Sequence, residues 1–259
     1  MRRLWLLPLL MGVVGGVVFY ALAQQENPAE EVKKQKEMLL KEMGILPGDV
    51  YAEQGRDLFN KVMGTAGKSC SSCHGQDGRY LKGSYAHMPR YYKDMDAVAD
   101  LDTRIKYCME KYMGVKEVKH DNNFKSIATF VATLSNGMPM DVKLENPKEK
   151  EMYEKGKQLW YARVGKMDFS CAICHDNFGG QRIRLQTLAR VKQDKVATHW
   201  PAYRFSNDQL WTMEDRIRGC YNQIRVTPPP HFHWANIALS LYMAYEANGG
   251  IIETPGFVR

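Results

Sequence analysis

Cys70-Ser-Ser-Cys73-His74 and Cys171-Ala-Ile-Cys174-His175 are two copies of one five-residue pattern in a chain of 259 residues. In Cys-x-x-Cys-His the two thiols are spaced to form thioethers with the vinyl groups of a porphyrin, and the adjacent imidazole falls on the iron as an axial ligand. A zinc site made from both Cys-x-x-Cys pairs would leave the histidines unexplained. Three disulfides, the ordinary use of six cysteines in an exported chain, would leave both the histidines and the spacing unexplained. Two covalently bound haem c groups are therefore expected. Cys70, Cys73, Cys171 and Cys174 would hold the porphyrins, and His74 and His175 the irons.

Outward from these motifs the chain repeats itself. Glu53-Gln-Gly55-Arg-Asp-Leu58-Phe59 precedes the first motif and Glu154-Lys-Gly156-Lys-Gln-Leu159-Trp160 the second, with 15 positions from each glycine to the first motif cysteine. Arg104-Ile-Lys-Tyr-Cys108 matches Arg216-Ile-Arg-Gly-Cys220, and in both copies an Asn-Gly pair follows that cysteine, the asparagine 28 positions on. The stretch between motif histidine and later cysteine is 34 positions in the first half and 45 in the second, an insertion of 11. The fold expected is all-α: two tandem cytochrome c-like domains, residues 48–147 and 148–259, each binding one c-type haem. Phe124, Ile127, Ala128, Val131 and Leu134 predict one face of a final helix in the first half, and Trp234, Ala238, Leu241 and Tyr245 in the second. Asn136-Gly137 and Asn248-Gly249 predict their C-terminal caps.

The remaining axial ligand is often a methionine thioether. Met138 and Met140 lie beyond the Asn-Gly cap, while Met109, Met113, Met213, His231 and His233 have no partner at the same register in the other half. Cys108 and Cys220 do, which predicts thiolate ligation at both irons. Arg104 and Arg216 each precede their cysteine by four positions, so on a helix each guanidinium shares a face with its sulfur and favours the anion. The alternative is a Cys108–Cys220 disulfide clamping the halves together.

Composition excludes other classes. Hydrophobic residues at 44% and charged ones at 25% match a globular protein and rule out a disordered tail, a collagen-like rod or a multispanning membrane protein. A formal charge of +7 attracts anions of any kind, and the haem motifs leave nucleic acid no role as a partner. Arg2 and Arg3, the apolar run Leu4 to Ala23 and the closing Ala21-Leu22-Ala23 have the form of an export signal over residues 1–23, or of an uncleaved anchor. Residues 24–47 would be a leader, and the location expected is the periplasm.

The sequence resembles a known family, the dihaem SoxA subunit of the SoxAX cytochrome, an L-cysteine S-thiosulfotransferase of thiosulfate oxidation. The resemblance runs from about Tyr51 onward. It is most specific in Cys171 to Asn177, Trp200-Pro-Ala-Tyr-Arg204, Arg216-Ile-Arg-Gly-Cys220 and Ala247-Asn-Gly-Gly-Ile-Ile-Glu253-Thr-Pro255. It implies that Cys220 is catalytic, carried as a persulfide, and that Arg216 and Arg225 bind the substrate anion. It also implies a monohaem SoxX-type partner, a SoxYZ-type carrier whose cysteine receives thiosulfate, and a soluble cytochrome c acceptor. Gln223 stands where the family pattern has glycine, three residues after Cys220, so another loop course is expected there. A thiosulfate dehydrogenase forming tetrathionate and a plain dihaem electron carrier are the alternative readings.

Overall fold

The computed structural model describes residues 28–183 and 186–258, so the export-signal segment 1–23 lies outside the described residues. Helix α1 (Pro28–Met43) occupies most of the expected leader and is largely exposed. The first half continues with α2 (Pro47–Asn60), the short α3 (Ser71–His74), the hairpin β1–β2 (Arg90–Tyr92, Ala97–Ala99), α4 (Leu101–Met113) and α5 (Asn122–Thr133). The second half has α6 (Pro147–Tyr161) and a π-helical turn at Ile173–Asn177. Two hairpins follow, β3–β4 (Arg182–Ile183, Gln186–Thr187) and β5–β6 (Ala202–Arg204, Gln209–Trp211), then α7 (Met213–Gln223), α8 (Trp234–Glu246) and β7 (Gly256–Val258). The helical frame is as expected; the short sheets are additional. β7 runs parallel to β5 and makes the second sheet three-stranded. No helix among the described residues is long and apolar enough to cross a membrane.

The repeated glycines have a packing reason. A Cβ at Gly55 would lie 1.9 Å from the Ser126 carbonyl oxygen, and one at Gly156 would lie 2.1 Å from that of Ala238. Hence α2 presses directly on α5, and α6 on α8, backbone against backbone. Phe124, Ile127, Ala128 and Val131 are buried as expected. In α8 the expected stripe is wrong at Trp234, which is 47% exposed, while every residue from Ala235 to Ala244 is buried. That helix packs against α6, α7 and the 3₁₀ turn Val196–His199, so it is enclosed on several sides rather than one. The insertion of the second half falls between Asp176 and Lys195 and contains β3–β4.

The Asn-Gly pairs are not the helix caps expected of them: Leu134 caps α5 and Ala247 caps α8, and the pairs follow in the turns beyond. Gly137 and Gly249 take left-handed φ values of 81° and 80°, whereas the asparagines do not. Each asparagine side chain instead reaches across to the other half. Asn136 Oδ1 accepts from the Thr254 N–H at 2.8 Å, and Asn248 Oδ1 accepts from the Val142 N–H at 2.8 Å. The backbones between exchange bonds in the same reciprocal way: Gly137 N–H to Ile252 O, Gly249 N–H to Met140 O, Met140 N–H to Gly250 O and Ile252 N–H to Met138 O, all 2.8–2.9 Å. Pro139 and Ile251 face each other at the centre.

Beside this clasp the N-termini of α4 and α7 bring buried charges together. His120 Nε2 lies 3.0 Å from Asp102 and its Nδ1 lies 3.7 Å from Asp215; His231 Nε2 bonds Asp215 at 3.0 Å and its ring stacks on His120 at 3.8 Å. Lys125 Nζ is 3.2 Å from Asp215. Glu214, fully buried, accepts from the Phe232 N–H at 2.8 Å. A cavity of about 40 Å³ lies between Asp100, Asp102, Glu214 and Ser240.

Candidate active site

α7 begins at a capping box in which Thr212 and Asp215 satisfy each other's backbone amides. Its first turns place Arg216 and Cys220 four residues apart on one face. The Cys171–Cys174 segment and the π-helical turn bring the motif thiols and His175 up to the same sulfur: Cys220 shares a hydrogen bond with His175 and feels the charges of Cys171 and Cys174. In the first half, Asp100 caps α4 by accepting from the Thr103 N–H at 2.9 Å, and Cys108 lies within charge range of Cys70 and Cys73. Each later cysteine therefore sits beside the motif of its own half, and all six cysteines are free, with no Cys108–Cys220 disulfide.

The donor sets fit a covalently attached haem. His175 donates its Nδ1–H to the Ala189 carbonyl at 2.7 Å, which fixes the ring and leaves Nε2 for a metal. Trp160 packs on that ring at 5.4 Å and donates to Asp176 at 3.0 Å; Phe59 packs on His74 at 6.3 Å. The histidines weighed as alternative ligands are engaged elsewhere: His231 with Asp215, and His233 as the N-cap of α8.

Electrostatics separates the two halves. Burial raises the Cys220 thiol, but Arg216, the His175 hydrogen bond and Arg204 outweigh it and hold the group at about 6, a thiolate at neutral pH. Burial also raises Cys108, and there Arg104 opposes the rise only in part because Asp94 adds to it. His199, beside Arg216, is pushed down to about 4 by burial and by that guanidinium, and so is neutral.

Of the arginines expected near Cys220, Arg216 is in place. Arg225 is exposed just beyond α7, and the second cation acting on the sulfur is Arg204. Arg204, in the Trp200-Pro-Ala-Tyr-Arg204 segment, is one of four arginines, with Arg216, Arg218 and Arg225, that the sequence gathers around Cys220, and the structure places it in charge range of the sulfur. Arg218 donates to the Pro229 carbonyl and holds the loop ahead of α8.

The family described as SoxA/TsdA, cytochrome c domain, matches residues 54–140. The L-cysteine S-thiosulfotransferase subunit SoxA of Hydrogenobacter thermophilus is 87% identical over 259 residues, all of both chains. The protein of that name from Hydrogenophilus thermoluteolus is 40% identical, over 82% of this chain and 83% of its own. The chain belongs to the SoxA family. A solved structure, SoxXA from P. pantotrophus, superposes with a TM-score of 0.75 at 28% identity, over 82% of this chain and 79% of the other. The cytochrome c domain brings covalently bound haem c with it. Against the SoxA pattern, Gln223 is the last residue of α7, and the left-handed turn that glycine would favour falls instead on Arg225, at φ 60°.

Proposed function

We propose that this chain is the SoxA-type subunit of an L-cysteine S-thiosulfotransferase, joining thiosulfate to a cysteine of a SoxYZ-type carrier. The observation that carries the reading is Cys220, a sulfur held anionic between Arg216, Arg204 and His175 in a chain 87% identical to a SoxA subunit. The reaction forms one sulfur–sulfur bond between the carrier thiol and thiosulfate, releasing one proton and two electrons. Bound haem c supplies the route for those electrons, which pass to a SoxX-type monohaem partner and on to a soluble cytochrome c.

Two tandem domains, 48–147 and 148–259, each hold one haem. Cys70 and Cys73 would attach the first porphyrin, with His74 and Cys108 for its iron; Cys171 and Cys174 the second, with His175 and Cys220. The reciprocal clasp and the matched pairs Gly55/Gly156 and Cys108/Cys220 support two equivalent units. Arg216 orients the anionic substrate by paired hydrogen bonds. Cys220, in persulfide form, is the catalytic sulfur, in the second domain. An export signal over residues 1–23 agrees with a periplasmic location.

The test mixes the oxidised haem-loaded chain and its monohaem partner with thiosulfate, with and without the carrier. A gain in carrier mass supports transfer, tetrathionate alone would mean a dehydrogenase, and neither would mean a relay. Cys220→Ala is expected to abolish turnover and Cys108→Ala to retain much of it. Equal loss in both variants, with haem retained, would contradict this.

A further inference from the structure

The starts of α4 and α7 face each other across the boundary between the halves, and three carboxyls converge there. Asp100 and Asp102 come from the first half and Glu214 from the second. Each is anchored through one oxygen. Asp100 Oδ1 accepts from the Thr103 N–H at 2.9 Å, Asp102 Oδ2 pairs with His120 Nε2 at 3.0 Å, and Glu214 Oε2 accepts from the Phe232 N–H at 2.8 Å. All three residues are buried, Glu214 completely. Backbone and imidazole thus hold the acids at fixed positions around the cavity of about 40 Å³.

The protein supplies less positive charge than these acids call for. The Glu214 carboxyl comes within hydrogen-bonding range of that of Asp100, and its Oε1 meets no donor among the described residues. Ser240 Oγ, on α8 and likewise buried, belongs to the wall of the same cavity and also lacks a partner among the described residues. Three carboxylates against about half a positive charge from each of two helix N-termini leave roughly two negative charges. His120 offsets at most one of them, and its Nδ1 faces a further acid, Asp215, at 3.7 Å. Lys125 is paired with Asp215 at 3.2 Å.

The donors that remain are oxygens. Both His120 nitrogens are directed at carboxylates, Nε2 at Asp102 and Nδ1 at Asp215, which disfavours zinc and its neighbours. Ligand atoms of Asp102 and Glu214 lie within 4.8 Å of each other. Two oxygens bound to calcium at about 2.3–2.6 Å stand no more than about 5 Å apart. The cavity admits an ion with one or two waters, each occupant needing at least about 10–15 Å³. Met88 and Met140 in its wall offer little to a larger hydration shell. Magnesium, which keeps several waters, does not suit such a space.

We propose that this cavity is a calcium site joining the two halves, with Asp100 and Asp102 as ligands from one and Glu214 and Ser240 from the other. The ion is structural. It neutralises the facing acids and ties the start of α4 to the start of α7, which fixes the helices that carry Cys108 and Cys220 relative to each other. It takes no part in the sulfur chemistry and does not depend on the thiosulfate-transfer reading. Without calcium, the same repulsion is relieved by protons held on Glu214 and Asp100.

The test uses the haem-loaded full chain, stripped with EDTA and held at pH 8 in buffers of equal ionic strength. Calcium at about 1 mM, the upper end of the range for extracellular calcium modules, is expected to raise the denaturant midpoint. Calorimetric titration of calcium is expected to give one site per chain. Glu214→Gln keeps the shape of the side chain and removes its charge; it is expected to bind calcium at least about tenfold more weakly, because ligand charge sets affinity. Asp100→Asn preserves the cap of α4, which asparagine fills as well as aspartate, and is expected to weaken calcium binding to a similar degree. No binding heat and no midpoint shift in the parent would overturn the site. An equal calcium response in both variants and the parent, or an equal response of the parent to magnesium, would do the same. A response to zinc alone would mean a nitrogen-bound metal and would also overturn the proposal.

Discussion

At Gly55 and Gly156 a single hydrogen atom decides how two helices meet. Alanine normally gains about 1 kcal/mol over glycine inside a helix, but here its methyl would meet a backbone carbonyl, which no rotamer change can move aside. Gly156→Ala is expected to lose about 1–3 kcal/mol net, read as a lower midpoint in denaturant with an unchanged slope. The spacing of these glycines from the motif cysteines was visible in the sequence because repetition marks positions that packing constrains. Arg204 could be grouped with the other arginines around Cys220 but not singled out among them. Its neighbours belong to strands of three residues, too short for alternation to show, and its meaning comes from a partner 16 positions away.

At the scale of elements, the starts of α4 and α7 meet in a seam of buried charge whose protonation fixes the pH of greatest stability. Burial and the neighbouring Asp100 and Asp102 push Glu214 up to about 10; burial and Asp102 push Asp100 up to about 6. Both are raised carboxyls, so each is at its least costly below its unfolded value, near 4, and the cost grows as pH rises towards the folded one. His120 is buried, which lowers it, but Asp102 and Asp215 raise it above the ordinary histidine value. Its contribution is complete below about 6.5 and is lost as pH climbs through the folded value. Asp215 acts oppositely: burial raises it, but His231, His120 and Lys125 draw it down to about 2. Its contribution is present above about 4 and is lost as pH falls through 2. Denaturant midpoints are therefore expected to be higher at pH 5 than at pH 8. Glu214→Gln is expected to raise the midpoint at pH 8 and leave it nearly unchanged at pH 4. A midpoint equal at both pH values in the parent would contradict the seam's charge state. None of this seam was legible beforehand, because its members are scattered from Asp100 to His231 and only the folded chain collects them.

Across the whole molecule, the clasp between Asn136 and Thr254 and between Asn248 and Val142 ties the halves into one unfolding unit. The parent is expected to unfold in a single calorimetric transition. Asn136→Ala with Asn248→Ala removes both side-chain bridges, each worth about 1–3 kcal/mol where backbone groups lose their only partners, and is expected to resolve two transitions. A single sharp transition in the double variant would show that the seam alone suffices. The helical frame, the paired motifs and the two later cysteines were readable from the chain, since each is a local pattern that recurs. The Asn-Gly pairs were readable as turns but not as bridges, because a sequence shows where a helix stops and not what its last side chain reaches.

The clasp is symmetric in backbone, yet the charges beside it are not: His120, Lys125 and Asp215 correspond to Phe232, Ile237 and Thr103 in the opposite half. Pairing two copies of the first lobe would bring His120 and Lys125 together without Asp215, and pairing two copies of the second would leave Asp215 with His231 as its base but without His120 and Lys125. Only unlike lobes match. Tethering them in one polypeptide enforces a one-to-one heterologous union that free association of the separate pieces would have to sort out by concentration and chance.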